Sequence, residues 1–127
     1  MHYNFNKKEI MREIRFRGKK VDNGEWVYGY YVYHKIHGRH DIWSDEDGDW
    51  YEVVQQTVGQ FLGHKDVDGR TMCEGDILEN EYKDRGEIEF GTDRFFWVHG
   101  IDWGEIEPGY GKPKIIGNIH DNPELLK

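Results

Sequence analysis

The dipeptide Asn23-Gly24, set between two stretches of alternating residue type, constrains this chain more than any other feature. Before it, Ile14 and Phe16 alternate with Arg15 and Arg17. After it runs Trp26-Val27-Tyr28-Gly29-Tyr30-Tyr31-Val32-Tyr33. A two-residue type I′ turn needs positive φ at both central residues, and Asn-Gly supplies this at least steric cost, so a β-hairpin is predicted over 12–34. A two-residue loop would set Phe16 opposite Tyr31 and Ile14 opposite Tyr33 on one apolar face. On the other face Arg15 would oppose Val32, Arg17 Tyr30, Lys19 Tyr28 and Val21 Trp26. Each such pair contributes about 0.2–1 kcal/mol, and a cation over an exposed ring about 0.5–1 kcal/mol.

The rest of the chain continues in the same idiom. Strands are predicted at 50–54, 58–63, 77–78, 87–90, 94–98 and 115–119. The turns between them include Asp66-Val67-Asp68-Gly69, Glu74-Gly75-Asp76, Asp84-Arg85-Gly86 and Gly91-Thr92-Asp93. Short strands joined by Gly-containing turns form the pattern of a small antiparallel barrel. Composition supports this: the 127 residues include no Ala and four Leu, against eleven Ile, eight Val and nineteen aromatics. Ala and Leu favour helices, whereas β-branched and aromatic side chains suit a pleated surface. The segment 34–50 is polar and predicts a long loop with a short strand at 41–43. The Gly-rich stretch 100–113 reads as irregular. Asn122, Pro123 and Glu124 open one short terminal helix. Residues 1–10 carry no period and read as a poorly ordered extension, with Met11 just before the first regular segment. The length fits one domain.

Charge narrows the partners. The chain carries a net −8, yet residues 7–20 hold Lys7, Lys8, Arg12, Arg15, Arg17, Lys19 and Lys20 against Glu9 and Glu13. An acidic body repels phosphate backbones, so general nucleic-acid binding is not expected, while the basic hairpin keeps a local version of it open. The single cysteine, Cys73, permits no internal disulfide and reads as a core filler. No apolar run approaches the roughly 20 residues that span a bilayer, and no secretory signal is recognisable, so a cytoplasmic location is expected.

Several constellations invite a chemical reading. His34-x-x-His37-x-x-His40 has a spacing that places neighbours on opposite faces of a strand, and Gly38 discourages a helix. Solvated loop histidines are therefore expected rather than a metal site. Asp45-x-Asp47-Gly48-Asp49 brings its glycine too early for a calcium loop, and Asp66-x-Asp68-Gly69 is shorter still, so both read as acidic turns. Glu87 and Glu89 lie on one face of a predicted strand, as do Glu105 and Glu107 if 104–107 is extended. In a chain with 25 acids they read as solvated. No catalytic set or cofactor motif is recognisable, and an enzyme is not expected. The strongest candidate surface is the interleaved set Arg15, Arg17, Lys19, Trp26, Tyr28 and Tyr30. It fits either another subunit or single-stranded nucleic acid.

Five phrases together resemble one family. They are Arg12-Glu13-Ile14-Arg15-Phe16-Arg17-Gly18-Lys19, Gly24-Glu25-Trp26-Val27-Tyr28-Gly29, Thr57-Val58-Gly59-Gln60-Phe61 (followed by Gly63, Lys65, Asp66 and Gly69), Glu74-Gly75-Asp76-Ile77, and the ending Ile116 to Leu126. In order and spacing they resemble the YopX family of phage and prophage proteins. The resemblance implies a β part of complex topology over about 11–63, an SH3-like small barrel over about 64–127, and self-association. It implies no activity and supplies no catalytic residues. Cys73 and His120 stand where an aromatic is common, so packing there is expected to differ. The function expected is that of a non-enzymatic accessory protein in the bacterial host cell, acting as a homo-oligomer through contacts with phage or host proteins. The alternatives are single-stranded nucleic-acid binding by the basic hairpin, and a small hydrolase should Glu87 or Glu105 line an apolar concavity.

Overall fold

A computed structural model of the chain describes residues 14–90, 95–99, 102–105 and 111–127. Residues 1–10, Met11, the turn Gly91-Thr92-Asp93 and Glu107, on which expectations fall, lie outside them. Among the described residues eleven strands make two antiparallel sheets. The first contains β1 (Phe16–Lys19), β2 (Trp26–His34), β3 (Arg39–Ser44), β4 (Trp50–Glu52), β5 (Gly59–Lys65) and β6 (Thr71–Cys73), in the order β4-β3-β2-β1-β5-β6. The second contains β7 (Asp76–Glu79), β8 (Arg85–Phe90), β9 (Phe95–His99), β10 (Asp102–Glu105) and β11 (Lys114–Asn118), in the order β10-β9-β8-β7-β11. The chain passes from one sheet to the other at Glu74-Gly75. No helix among the described residues is long and apolar enough to cross a membrane.

The first hairpin forms where Asn23-Gly24 places it, but its register differs from a two-residue loop. Phe16 faces Gly29, Arg17 faces Tyr28 and Lys19 faces Trp26, each partner two residues earlier than expected. The reason is the turn. Lys20 N–H donates to Glu25 O at 2.9 Å and Gly24 N–H to Lys20 O at 2.9 Å, so four residues form the loop. Gly24 has positive φ (74°) and Asn23 does not, which rules out a type I′ turn. A slip of two residues leaves every side chain on its expected face, because the strand period is two.

Four other expectations change. The segment 34–50 holds a second hairpin instead of a long loop: β2 and β3 pair from Gly29↔Ser44 to His34↔Arg39, with residues 35–38 as the turn. Within 100–113, Asp102–Glu105 forms strand β10, paired with β9. The C-terminal helix is a single 3₁₀ turn, Pro123–Leu126. Asn122 does not cap it; its Oδ1 instead accepts from Asn118 N–H at 3.2 Å. The strands expected to make a small barrel form an open sheet, with β10 and β11 at opposite edges.

Curling occurs in the first sheet instead. After β4 the chain returns to the end of β1 through one bridge, Lys20↔Val53. Hydrogen bonds from Val21 N–H to Glu52 O and from Val54 N–H to Lys19 O, both 2.9 Å, flank it. Inside this curl lie Val27, Ile42 and Val53, with Phe16, Tyr31, Tyr51 and Val58 packed around them. Close approach is possible because β2 carries Gly29, where an added Cβ would sit 1.8 Å from the Trp43 carbonyl oxygen. A second cluster joins the sheets: Leu62 and Met72 of the first pack with Leu78, Ile88 and Ile115 of the second. Cys73 is also buried, and burial pushes its thiol up to about 12, as an unreactive core residue requires.

Candidate interaction surface

The residues interleaved on the outer face of the first hairpin meet different fates along its length. Near the β1–β2 turn the second sheet covers them. Arg17 is 8% exposed, and its guanidinium contacts Asp76 at 2.8 Å, lies 4.7 Å from the Trp26 ring centre, and donates to Glu74 O at 3.4 Å. Asp76 also accepts from Cys73 N–H at 2.7 Å. Burial raises the pKa of Asp76, outweighing the attraction of Arg17. Lys19 pairs with Asp121 and lies over the Trp26 ring at 5.3 Å, and Trp26 Nε1–H donates to the other Asp121 oxygen at 2.8 Å. These hydrogen bonds, Lys19's first and then Trp26's, hold the Asp121 carboxyl well below the usual carboxylate range. His120 packs its ring 5.8 Å from Trp26. Burial, assisted by the cations of Arg17 and Lys19, pushes its pKa down, so it packs as a neutral ring. Tyr28 sits half-buried, its ring 6.1 Å from that of Phe61. This half of the face is an internal clamp.

The other half is open. Cross-strand register places Tyr30 of β2 beside Trp43 of β3, and Trp43 beside Trp50 of β4. The Trp43 and Trp50 ring centres are 5.2 Å apart. Tyr30 is 49% exposed and Trp50 46%. One aromatic row therefore crosses three strands and ends on edge strand β4. His34 extends it, with its ring 6.1 Å from Trp50. Arg15, at the margin, donates two hydrogen bonds to Asp45, at 2.8 and 2.9 Å. Of the six residues singled out in the sequence, only Tyr30 joins the open row. Trp43 and Trp50 fall in the strands expected at 41–43 and 50–54, but the polar stretch between them gave no sign that they are cross-strand neighbours.

The remaining candidates disperse. His34 Nε2 lies 2.9 Å from Asp41, out of line for a hydrogen bond, whereas His40 bonds Tyr31 OH at 2.5 Å on the opposite face and stacks on Tyr33. These two stand on strands rather than in a solvated loop, and His37 alone occupies the turn. Among the described residues no three His, Cys, Asp or Glu side chains converge as metal ligands. The stretch Asp45–Asp49 is a turn organised by Ser44, whose hydroxyl accepts from Glu46 and Asp47 N–H, while Asp47 accepts from Tyr51 OH at 2.5 Å. Asp66 is buried and structural. Burial opposes its charge, but backbone N–H groups of Ile115, Arg70 and Asp68 outweigh that and lower its pKa. Glu87 is partly buried on β8, and burial followed by repulsion from Glu89 and Glu74 raises its pKa. Glu105 stands on β10.

A family model described as YopX protein matches residues 15–127. No curated protein matches the chain. Among solved structures, the chain is similar to the crystal structure of protein EF1440 from Enterococcus faecalis, with 21% identity and a TM-score of 0.63. The match covers 92% of this chain and all of that one. At that identity the likeness concerns the fold.

Proposed function

The chain belongs to the YopX family, and we propose that it acts without catalysis, through protein–protein contacts made by the open aromatic row, first of all with copies of itself. The observation that carries this reading is the row Tyr30–Trp43–Trp50, exposed at both ends and finishing on an edge strand. Tyr and Trp are enriched at interface centres, where large rigid rings bury area at little entropic cost. An accessory role in a phage or prophage, within the bacterial host cell, agrees with the family membership. The nucleic-acid reading loses its main support, because Arg15, Arg17 and Lys19 are already paired with Asp45, Asp76 and Asp121.

Light scattering at micromolar concentration tests the proposal. The wild type should show a mass above the 15.2 kDa of one chain. Trp43→Ser with Trp50→Ser should shift it to monomer without loss of the folded spectrum. A monodisperse wild-type monomer would refute self-association through this row.

A further inference from the structure

Beside the aromatic row, between the β1–β2 turn and β4, lies an open pocket of about 240 Å³ lined by Val21, Asp22, Trp50, Tyr51 and Glu52. It is smaller than the roughly 300–1,000 Å³ of small-molecule and cofactor sites, and suits one extended side chain. Its walls combine two ring systems with two carboxylates. Among the described residues, neither the Asp22 nor the Glu52 side chain has a hydrogen-bond or ion-pair partner. One cation already uses this chemistry from within the chain: Lys20 Nζ lies 4.0 Å from the centre of the Tyr51 ring. The charge around it remains negative. The Tyr51 hydroxyl is pushed up to about 12, first by its hydrogen bond to Asp47 and burial, then by the charges of Asp47, Asp49 and Asp22.

We propose that this pocket receives a lysine or arginine side chain from a basic segment of a partner protein, with Trp50 as the aromatic wall and Asp22 and Glu52 as the counter-charges. Cations are attracted to the ring quadrupole, most strongly to that of Trp. A concave site walled by low-dielectric rings also strengthens the field of its carboxylates. Two carboxylates against one incoming ammonium or guanidinium leave the pocket complementary to a basic partner and repellent to an acidic one. Trp50 belongs both to this pocket and to the open row, so partner and row would be engaged together. The inference specifies the partner chemistry of the contact surface and rests on that reading for its biological use.

Nuclear magnetic resonance titration with tetralysine, using tetraglutamate as control, tests it on the full chain at low salt. Tetralysine should shift the Trp50 indole signal saturably, and tetraglutamate should not. Trp50→Ser should weaken binding about two- to fivefold, followed through the backbone amides of Asp22 and Glu52. Asp22→Asn with Glu52→Gln should weaken it about tenfold while leaving the fold intact, since both side chains are exposed. No saturable shift, equal response to tetraglutamate, or undiminished binding by the carboxylate double variant would overturn the pocket. Light scattering separates this outcome from the previous one. Self-association without tetralysine binding removes the pocket and leaves the contact row. Tetralysine binding by a strict monomer supports the pocket and removes the homo-oligomer.

Discussion

Replacing Arg17 by Met should destabilise the fold by about 3–5 kcal/mol at neutral pH, the usual consequence of stripping one partner from a buried ion pair. Both side chains qualify, at 10% and 4% exposure with a 2.8 Å contact. Methionine retains most of the apolar stem that packs near Trp26, so the loss is electrostatic rather than a cavity. With an m-value of about 2 kcal/mol/M, the urea midpoint should fall by about 1.5–2.5 M. The loss should also depend on pH. Burial raises Asp76 in the folded state above its ordinary 3.8, despite Arg17. Its favourable contribution is therefore complete below 3.8 and lost as pH rises through the folded value. Without Arg17 that value climbs further, so the deficit of the variant should widen from pH 4 towards pH 7. Adding Asp76→Asn removes the stranded charge while keeping an acceptor for Cys73 N–H, and should restore about 2 kcal/mol. A loss under 1 kcal/mol, or one independent of pH, would refute a buried clamp at this position.

Gly29→Ala should cost more than about 3 kcal/mol or abolish folding, because the new Cβ would meet backbone oxygen of Trp43 at 1.8 Å; circular dichroism and urea midpoints read this directly. Asp121→Asn should cost about 0.5–1.5 kcal/mol at pH 7, since the Lys19 pair is partly solvated. Because the folded pKa of Asp121 is depressed, wild type and variant should converge in thermal melts as pH falls through the range below 3.8. Asp66→Ala strands three backbone N–H donors, one of them from β11, and should cost about 2–4 kcal/mol in urea unfolding.

Local signals carried the strands and misled mainly where a turn or a distant partner decides. The hairpin was legible because Asn-Gly interrupts a period-two pattern, and its face assignment survived a register error of two. The error arose because Gly24 alone takes positive φ and the loop has four residues, a choice settled by backbone hydrogen bonds at Lys20. Only part of β3 was legible, as the short strand expected at 41–43, because Arg39 and Asp41 pair with each other and resemble loop chemistry. The polar sequence around Asp45–Asp49 likewise masked Trp43 and Trp50 as cross-strand neighbours. The clamp could not be read from spacing at all. Arg17 finds Asp76 across nearly half of the chain length, and Lys19 and Trp26 find Asp121 across most of it. A cation alternating with aromatics looks the same whether solvent, a partner or the chain's own second sheet lies above it.

Hydrogen exchange at the tryptophan indoles tests most directly the division of the hairpin face into an internal clamp and an open row. In dilute protein, Trp26 Nε1–H, bonded to Asp121 at 2.8 Å, should exchange far more slowly than that of Trp50, which is 46% exposed. Asp121→Asn should bring the Trp26 rate towards that of Trp50. Equal rates for Trp26 and Trp50 in the wild type would contradict the clamp and return the whole basic, aromatic face to the surface.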